Sequence, residues 1–180
     1  SHKLLVSEPG LITMTGGKWT TYRRMGEETI DKVIEIGRLK FRPCATEPLA
    51  IHGNAPVKDR SNSLYVYGSD RKLLNKLVAN EQELGEKLHA DYDYIKAQVV
   101  MAARNEMALT VEDVLARRMR VLFLDARAAI DMSPEVARLL ADELGRDEEW
   151  EKEQIASFMK LANRYLLEAY YPEEVEALLA

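Results

Sequence analysis

The sequence is poor in the residues that build covalent or metal-held structure. Its 180 residues contain one cysteine, Cys44, and three histidines, His2, His52 and His89. One cysteine excludes an intrachain disulfide and a cysteine-based metal site, so a reducing compartment is the simple expectation and no metal site is assigned. Long apolar runs are also lacking. No stretch approaches the roughly 20 residues that span a bilayer, and no signal-peptide pattern opens the chain. A basic excess is missing too: the formal net charge is −5. Nucleic acid is therefore not an expected partner, and Arg117, Arg118 and Arg120 read as a solvated or ion-paired helix face. Gly and Pro are few, 9 and 6 in the chain, which leaves little room for a turn-rich β fold.

What is present favours helix. The chain is 47% hydrophobic, enough for one packed domain and a smaller appendage. Its second half is dominated by Leu, Ala, Glu, Lys and Arg, which lose little side-chain freedom in a helix. The opening differs. Pro9-Gly10 followed by Leu11-Ile12-Thr13-Met14-Thr15 predicts a turn and a short strand, which Gly16-Gly17 ends. From Thr20 onward Tyr22, Met25, Thr29, Ile30, Val33 and Ile36 recur at helical spacing, and Gly37 is placed to stop the helix. One strand and one helix cannot bury a core alone, so residues 1–37 need partners from elsewhere.

Residues 38–62 contain Pro43, Pro48, Gly53 and Pro56 and read as an extended connector and domain boundary. Residues 63–180 read as a helical bundle. Ser69 or Asp70 caps a helix carrying Leu73, Leu74, Leu77 and Val78. A short helix is expected around Leu84 and Leu88. Another runs from Tyr94 to Met107, with Ile95, Val99, Ala102, Ala103 and Met107 on one side. Thr110-Val111-Glu112-Asp113 has capping-box spacing and starts a buried helix toward Ile130. Ser133-Pro134 marks a further start and Gly145 its stop. Asp147, Glu148 and Glu149 head a last long helix with Ile155, Phe158, Met159, Ala162, Tyr165 and Leu166 as its stripe, and Pro172 opens a final short turn. The expected fold class is thus mainly α: a helical bundle preceded by a strand-turn-helix.

One segment carries chemical promise: Thr15-Gly16-Gly17-Lys18-Trp19-Thr20-Thr21-Tyr22-Arg23. Glycines allow close approach to the backbone, and the first amides of the following helix lack intrahelical partners. Those donors, the positive end of the helix and Lys18 together suit a phosphate or the electron-rich edge of a flavin. An ordinary strand-to-helix turn explains the same composition. The glycine spacing is not that of a GxxxxGK[ST] loop, and GxGxxG is absent, so the chain has no dinucleotide site of its own. His52 and His89 are catalytic candidates by residue type only, and no base is assigned. Arg104, Glu106, Arg117 and Arg118 are expected to form a buried ion-pair network that orients helices.

The stretch Gly10-Leu11-Ile12-Thr13-Met14-Thr15-Gly16-Gly17-Lys18-Trp19-Thr20-Thr21-Tyr22-Arg23-Arg24-Met25 closely resembles the last flavin-contacting segment of FAD-dependent glycerol-3-phosphate dehydrogenases and the related glycerophosphate oxidases. Asn105 to Arg118, continuing through Phe123-Leu124-Asp125-Ala126-Arg127-Ala128-Ala129, resembles the helical C-terminal domain of the same family. Pro48-Leu49-Ala50-Ile51-His52-Gly53 and Tyr67-Gly68-Ser69-Asp70 are smaller matches. The resemblance implies that residues 1–37 are the remnant of an FAD-dependent α/β domain and residues 63–180 the helical C-terminal domain. It implies that Gly16, Gly17, Lys18, Trp19 and Thr20 lie beside FAD, with Lys18 also a ligand of the substrate phosphate.

The parent enzyme would oxidise glycerol 3-phosphate to dihydroxyacetone phosphate by hydride transfer to flavin and pass electrons to a quinone or to oxygen. The absence of an initiator Met fits a piece cut from a longer protein. The isolated chain, without the N-terminal FAD domain, is expected to be inactive and free of cofactor. The single cysteine suits a cytoplasmic location, and the resemblance implies that the parent associates peripherally with the membrane. A free-standing helical interaction module, a glycerophosphate oxidase and a flavin amino-acid oxidase are the competing readings.

Overall fold

In a computed structural model, residues 2–56, 60–61 and 63–179 are described. The connector expected at 38–62 thus falls partly outside the described residues, at 57–59 and 62. The chain divides into two compact units, residues 1–51 and 52–180. The fold is mainly α, with two small two-stranded sheets.

The first unit holds a hairpin and a helix. Strand β1 (His2–Val6) pairs antiparallel with β2 (Ile12–Gly16), in register from His2↔Gly16 to Val6↔Ile12. The sequence shows only the second strand clearly, because β1 lacks a strict polar alternation. Ser7 closes the turn: its Oγ accepts from the Leu11 amide at 3.0 Å, and Gly10 takes a φ of 91° that suits glycine. Helix α1 (Tyr22–Ile36) follows a short 3-10 turn at Trp19–Thr21 and ends at Gly37. None of the described residues in this unit is fully buried. The stripe Tyr22, Ile30, Val33 and Ile36 is exposed, while Met25 and Thr29 are half-buried. A hairpin and one helix have too little surface to enclose an interior.

The second unit is built around helix α5. Helix α2 (Arg71–Asn80) leads through a 3-10 turn (Gln82–Gly85) to a hairpin of β3 (Lys87–His89) and β4 (Tyr92–Ile95). Helix α3 (Lys96–Glu106), a π-helical segment (Asp113–Arg118) and the single turn α4 (Val121–Leu124) come next. Then follow α5 (Ala126–Leu144), α6 (Glu148–Ala162) and α7 (Glu173–Leu179). Helix α5 contacts α3, α4, α6 and β3. Its Ile130, Met132, Val136 and Leu140 are sealed in a core with Leu74, Val99, Val111, Val114, Leu115, Val121, Leu122 and Phe158.

Several elements differ from the sequence expectation, each for a local reason. Leu88 lies in a strand, and the helix expected from Tyr94 begins at Lys96. Tyr92-Asp93-Tyr94-Ile95 alternates with period two, and its aromatic rings pack along the hairpin. Gln98, almost fully buried, then caps α3 by accepting from the Ile95 amide at 2.9 Å and donating to the Tyr67 hydroxyl at 3.1 Å. Met107 is 82% exposed, because it closes α3 in the left-handed conformation and turns off the apolar face. Asp70 occupies the cap of α2 without a side-chain cap bond, and Ser69 Oγ donates to Asp70 instead.

The Thr110–Asp113 box forms as expected: Thr110 Oγ1 accepts from the Asp113 amide and Asp113 Oδ2 from the Thr110 amide, both at 3.1 Å. The helix it starts does not continue to Ile130. It breaks at Arg120, with φ 62°, and again at Asp125, whose extended backbone lets its carboxylate accept from the Ala128 amide at 3.0 Å. Asp125, not Ser133, is therefore the cap of α5.

Ser133 and Pro134 lie inside α5. A proline at 134 removes the amide that would bond the Ile130 carbonyl four residues earlier. The Ser133 hydroxyl, wholly buried, donates to that same carbonyl at 2.7 Å and replaces the missing donor. Gly145 ends the helix at φ 63° and Asp147 caps α6, as its position suggests. Further back, Gly53 and Gly68 meet closely. A Cβ on Gly68 would fall 1.8 Å from the Gly53 carbonyl oxygen, so glycine at 68 is a backbone-contact requirement.

Two outcomes follow from these contacts. Ser133→Ala should cost about 1–2 kcal/mol with Pro134 present and well under half of that in a Pro134→Ala background, where the restored amide serves Ile130. Urea unfolding of the four-member cycle measures it. The Ala128 amide bond, aided by the Tyr92 hydroxyl, lowers the Asp125 pKa below its ordinary 3.8 against the opposing effect of burial. A lowered folded-state pKa stabilises fully above the ordinary value and is lost as pH falls through the folded one. Asp125→Ala should thus cost about 1–2 kcal/mol at neutral pH and progressively less below about pH 4, as unfolding curves at both pH values will show.

Candidate functional site

The turn joining β2 to α1 holds all five residues expected at a site: Gly16, Gly17, Lys18, Trp19 and Thr20. Gly16 and Gly17 both take positive φ, 76° and 90°, a pair of conformations that L side chains rarely adopt. They swing the chain out of the hairpin and into the helix start. Lys18 returns to extended backbone, with φ −135° and ψ 154°, and is fixed there by Thr21. The Thr21 hydroxyl accepts from the Lys18 amide at 3.2 Å and donates to the Lys18 carbonyl at 2.9 Å, while the Thr21 amide donates to that carbonyl at 2.9 Å. Thr21 was not singled out from the sequence as a site residue. A threonine three positions after the residue that enters a helix turn is its only signal.

The turn presents donors outward. The Tyr22 amide is taken by the Trp19 carbonyl, but among the described residues the amides of Trp19 and Thr20 have no acceptor. Lys18 makes no ion pair among the described residues and is exposed. Trp19 is 86% exposed, its ring stacked on Tyr22 with centroids 5.5 Å apart. This is a small cationic, donor-rich surface beside an open aromatic plane.

The neighbouring carboxylates are already engaged. Glu28 Oε2 lies 2.6 Å from His2 Nε2 and Glu28 Oε1 receives Arg24 Nε at 3.1 Å, and the His2 contact leads in holding the Glu28 carboxyl below its usual range. Glu27 receives both Arg23 and Arg24. Among the described residues no acidic side chain pairs with Lys18. The bare backbone and free amides of the turn also fit a planar, electron-rich ring approaching edge-on, the role expected for flavin here.

The two candidate catalytic histidines, His52 and His89, are not part of this turn. The His52 side chain is fully exposed, 3.7 Å from Asp70. His89 ends β3, 3.9 Å from Asp131, and packs near Tyr92. Both belong to the second unit, and nothing joins either of them to a constellation of catalytic type. The arginine network also differs from expectation. Arg104 grips Glu143 of α5 through two 2.5 Å contacts, separately from Arg117, which pairs with Glu112 and Asp113. Arg118 reaches Glu106 and Asp113 and donates to the Asp113 carbonyl. Arg104 and Arg117 are more than half exposed and make rim contacts, whereas Arg118 and Glu106 pair in a partly buried setting, so the expected network forms only around Arg118 and leaves Arg104 outside it. Among the described residues no group of three or more His, Cys, Asp or Glu side chains could hold a metal. No helix among them is long and apolar enough to cross a membrane.

Known proteins match this chain along most of its length. A family model described as the C-terminal domain of alpha-glycerophosphate oxidase matches residues 12–152. The probable mitochondrial glycerol-3-phosphate dehydrogenase of Caenorhabditis elegans is 37% identical over 169 residues, covering 81% of this chain and 23% of that protein. The mitochondrial glycerol-3-phosphate dehydrogenase of Homo sapiens is 32% identical over 183 residues, covering 89% of this chain and 25% of its own length. The probable mitochondrial enzyme of Dictyostelium discoideum is 34% identical, with 92% and 28% covered. The chain thus spans about a quarter of the length of the curated relatives it matches. No solved structure matches it at a significant level. With the matched region running from β2 into α6, the chain belongs to the family of the C-terminal domain of alpha-glycerophosphate oxidase.

Proposed function

We propose that this chain is the C-terminal part of an FAD-dependent glycerol-3-phosphate dehydrogenase, which oxidises glycerol 3-phosphate to dihydroxyacetone phosphate. One observation carries the reading: the turn at residues 16–20 offers, among the described residues, a lysine without an ion pair and two amides without an acceptor at the head of a helix. A dianionic phosphate is the ligand such a surface suits best. The three relatives named above are glycerol-3-phosphate dehydrogenases, which supports glycerol 3-phosphate as the substrate and favours the dehydrogenase over the oxidase.

In this reading Lys18 binds the phosphate of glycerol 3-phosphate. The backbone of Gly16 and Gly17 and the amides of Trp19 and Thr20 would hold the electron-rich edge of the flavin, with the side-chain position of Gly17 itself filled by Met25. Bound FAD supplies the acceptor for the hydride that leaves the substrate's secondary carbinol carbon. The remaining binding and base groups belong to a preceding FAD domain of the same polypeptide, and a quinone takes the electrons on. In the same reading the parent enzyme would be cytoplasmic and peripheral on the membrane surface, where it would reach a quinone.

In the longer enzyme, Lys18→Met should raise KM for glycerol 3-phosphate about 10–100-fold, the loss of one charged hydrogen bond, and leave FAD content unchanged. Steady-state kinetics with flavin absorbance reads both, and an unchanged KM removes the phosphate role. The 180-residue chain alone should neither bind FAD at micromolar concentration nor oxidise glycerol 3-phosphate. Tight binding in a fluorescence titration, or turnover, would overturn the assignment as part of a larger catalytic unit.

A further inference from the structure

We infer that Met25 is a positioning residue for Lys18, holding the glycine turn against α1 so that the lysine meets its ligand in one geometry. The inference rests on the reading of Lys18 as a phosphate ligand. Its evidence is steric. A Cβ built on Gly17 would lie 2.4 Å from Met25 Sδ and 2.8 Å from Met25 Cε, so the thioether fills the space that a side chain at 17 would take. On the same residue, His2 Cβ stands 3.4 Å from that position. Gly17 is therefore held between the start of β1 and the first turns of α1.

The grip is completed by Thr21. Its hydroxyl, already bonded to the amide and carbonyl of Lys18, lies 3.6 Å from Met25 Sδ. Met25 thus touches the residue before Lys18 and the residue that clamps Lys18. The clamp is attached to a helix whose flank is tied to β1 by His2 and Glu28. Two consecutive glycines at positive φ have wide conformational freedom, and nothing in their own chemistry selects one path. A packed neighbour has to do so. Methionine suits the task because its unbranched, polarisable chain fits an irregular gap. In a unit without a fully buried residue, a half-buried methionine aimed at a bare glycine has little interior to stabilise, and its effect falls on the turn.

If Met25 acts through Lys18, its loss must show in substrate binding and vanish when Lys18 is already gone. In the flavin-loaded longer enzyme, Met25→Ala should raise KM for glycerol 3-phosphate about tenfold with a much smaller change in kcat, since displacement of a binding group by about 1 Å is costly. Met25→Leu, close in volume, should restore most of the affinity. In a Lys18→Met background, Met25→Ala should add less than about twofold. A KM unmoved by Met25→Ala, or effects that multiply in the double variant, would overturn the positioning role. If Lys18→Met itself leaves KM unchanged, the phosphate reading is what fails. Should Met25→Ala not fold, Met25→Val takes its place in the cycle with the same criteria. Hydrogen exchange on the 180-residue chain supplies a readout without turnover: Met25→Ala should speed exchange of the Lys18 and Thr21 amides several-fold, and Lys18→Met should not. Equal rates in Met25→Ala and the parent chain would also overturn the proposal.

Discussion

The helical unit depends on the continuity of α5. This helix carries Ile130, Met132, Val136 and Leu140 into the core and gives α3, α4 and α6 a common surface. A proline in its middle would ordinarily kink or end it. The buried hydroxyl of Ser133 answers the carbonyl that Pro134 leaves without a donor, and the helix runs through. Asp125 and Gly145 then set its two ends. Helices α3, α4 and α6 are positioned by contact with α5 and not by their own lengths, which explains why α4 can be a single turn and still bury Val121 and Leu122.

The first unit obeys the opposite constraint. Its residues fold into a hairpin and a helix, yet Ile30, Val33 and Ile36 keep much of their surface exposed. What order it has comes from short-range devices: the Ser7 turn, the His2–Glu28 contact, the Arg23 and Arg24 pairs with Glu27, and the Thr21 clamp. These are local and partly exposed, so each is worth little singly. The turn at Gly16-Gly17 nevertheless takes one path, because it is packed between His2 and Met25. A site that needs free amides and a free lysine has to remain open on one side, and an open side is the cost of a binding surface.

Much of the chain was legible from residues. The helical character of the second half, the Thr110–Asp113 box, the Gly145 stop and the Asp147 cap are all carried by neighbours within four positions. Local rules suffice where the partners are local. They misled where a local signal had a second use. Ser133-Pro134 has the form of a helix start, but the serine repairs a helix interior. Ile95 has helical spacing to Val99, yet it lies in β4 and pairs with Lys87 across a hairpin. Met107 is apolar and in phase, but its left-handed backbone takes it off the face. At the site, the residue types of the turn could be read directly, whereas Thr21 and Met25 as its supports could not.

By itself the sequence determined the mainly helical class, the Thr110–Asp113 box, the Gly145 stop, the Asp147 cap, and a glycine-lysine turn between a strand and a helix, because each depends on backbone freedom, hydrogen-bonding groups or periodicity within one or two turns. Its blocks of similarity determined the family. The tertiary structure decided what depends on residues far apart: that Gly68 must lack a side chain because the Gly53 carbonyl lies against it, that Arg104 reaches Glu143, and that Gln98 joins α3 to Tyr67. These contacts form only once chain segments are brought together, and no spacing rule along the chain encodes the distance between them.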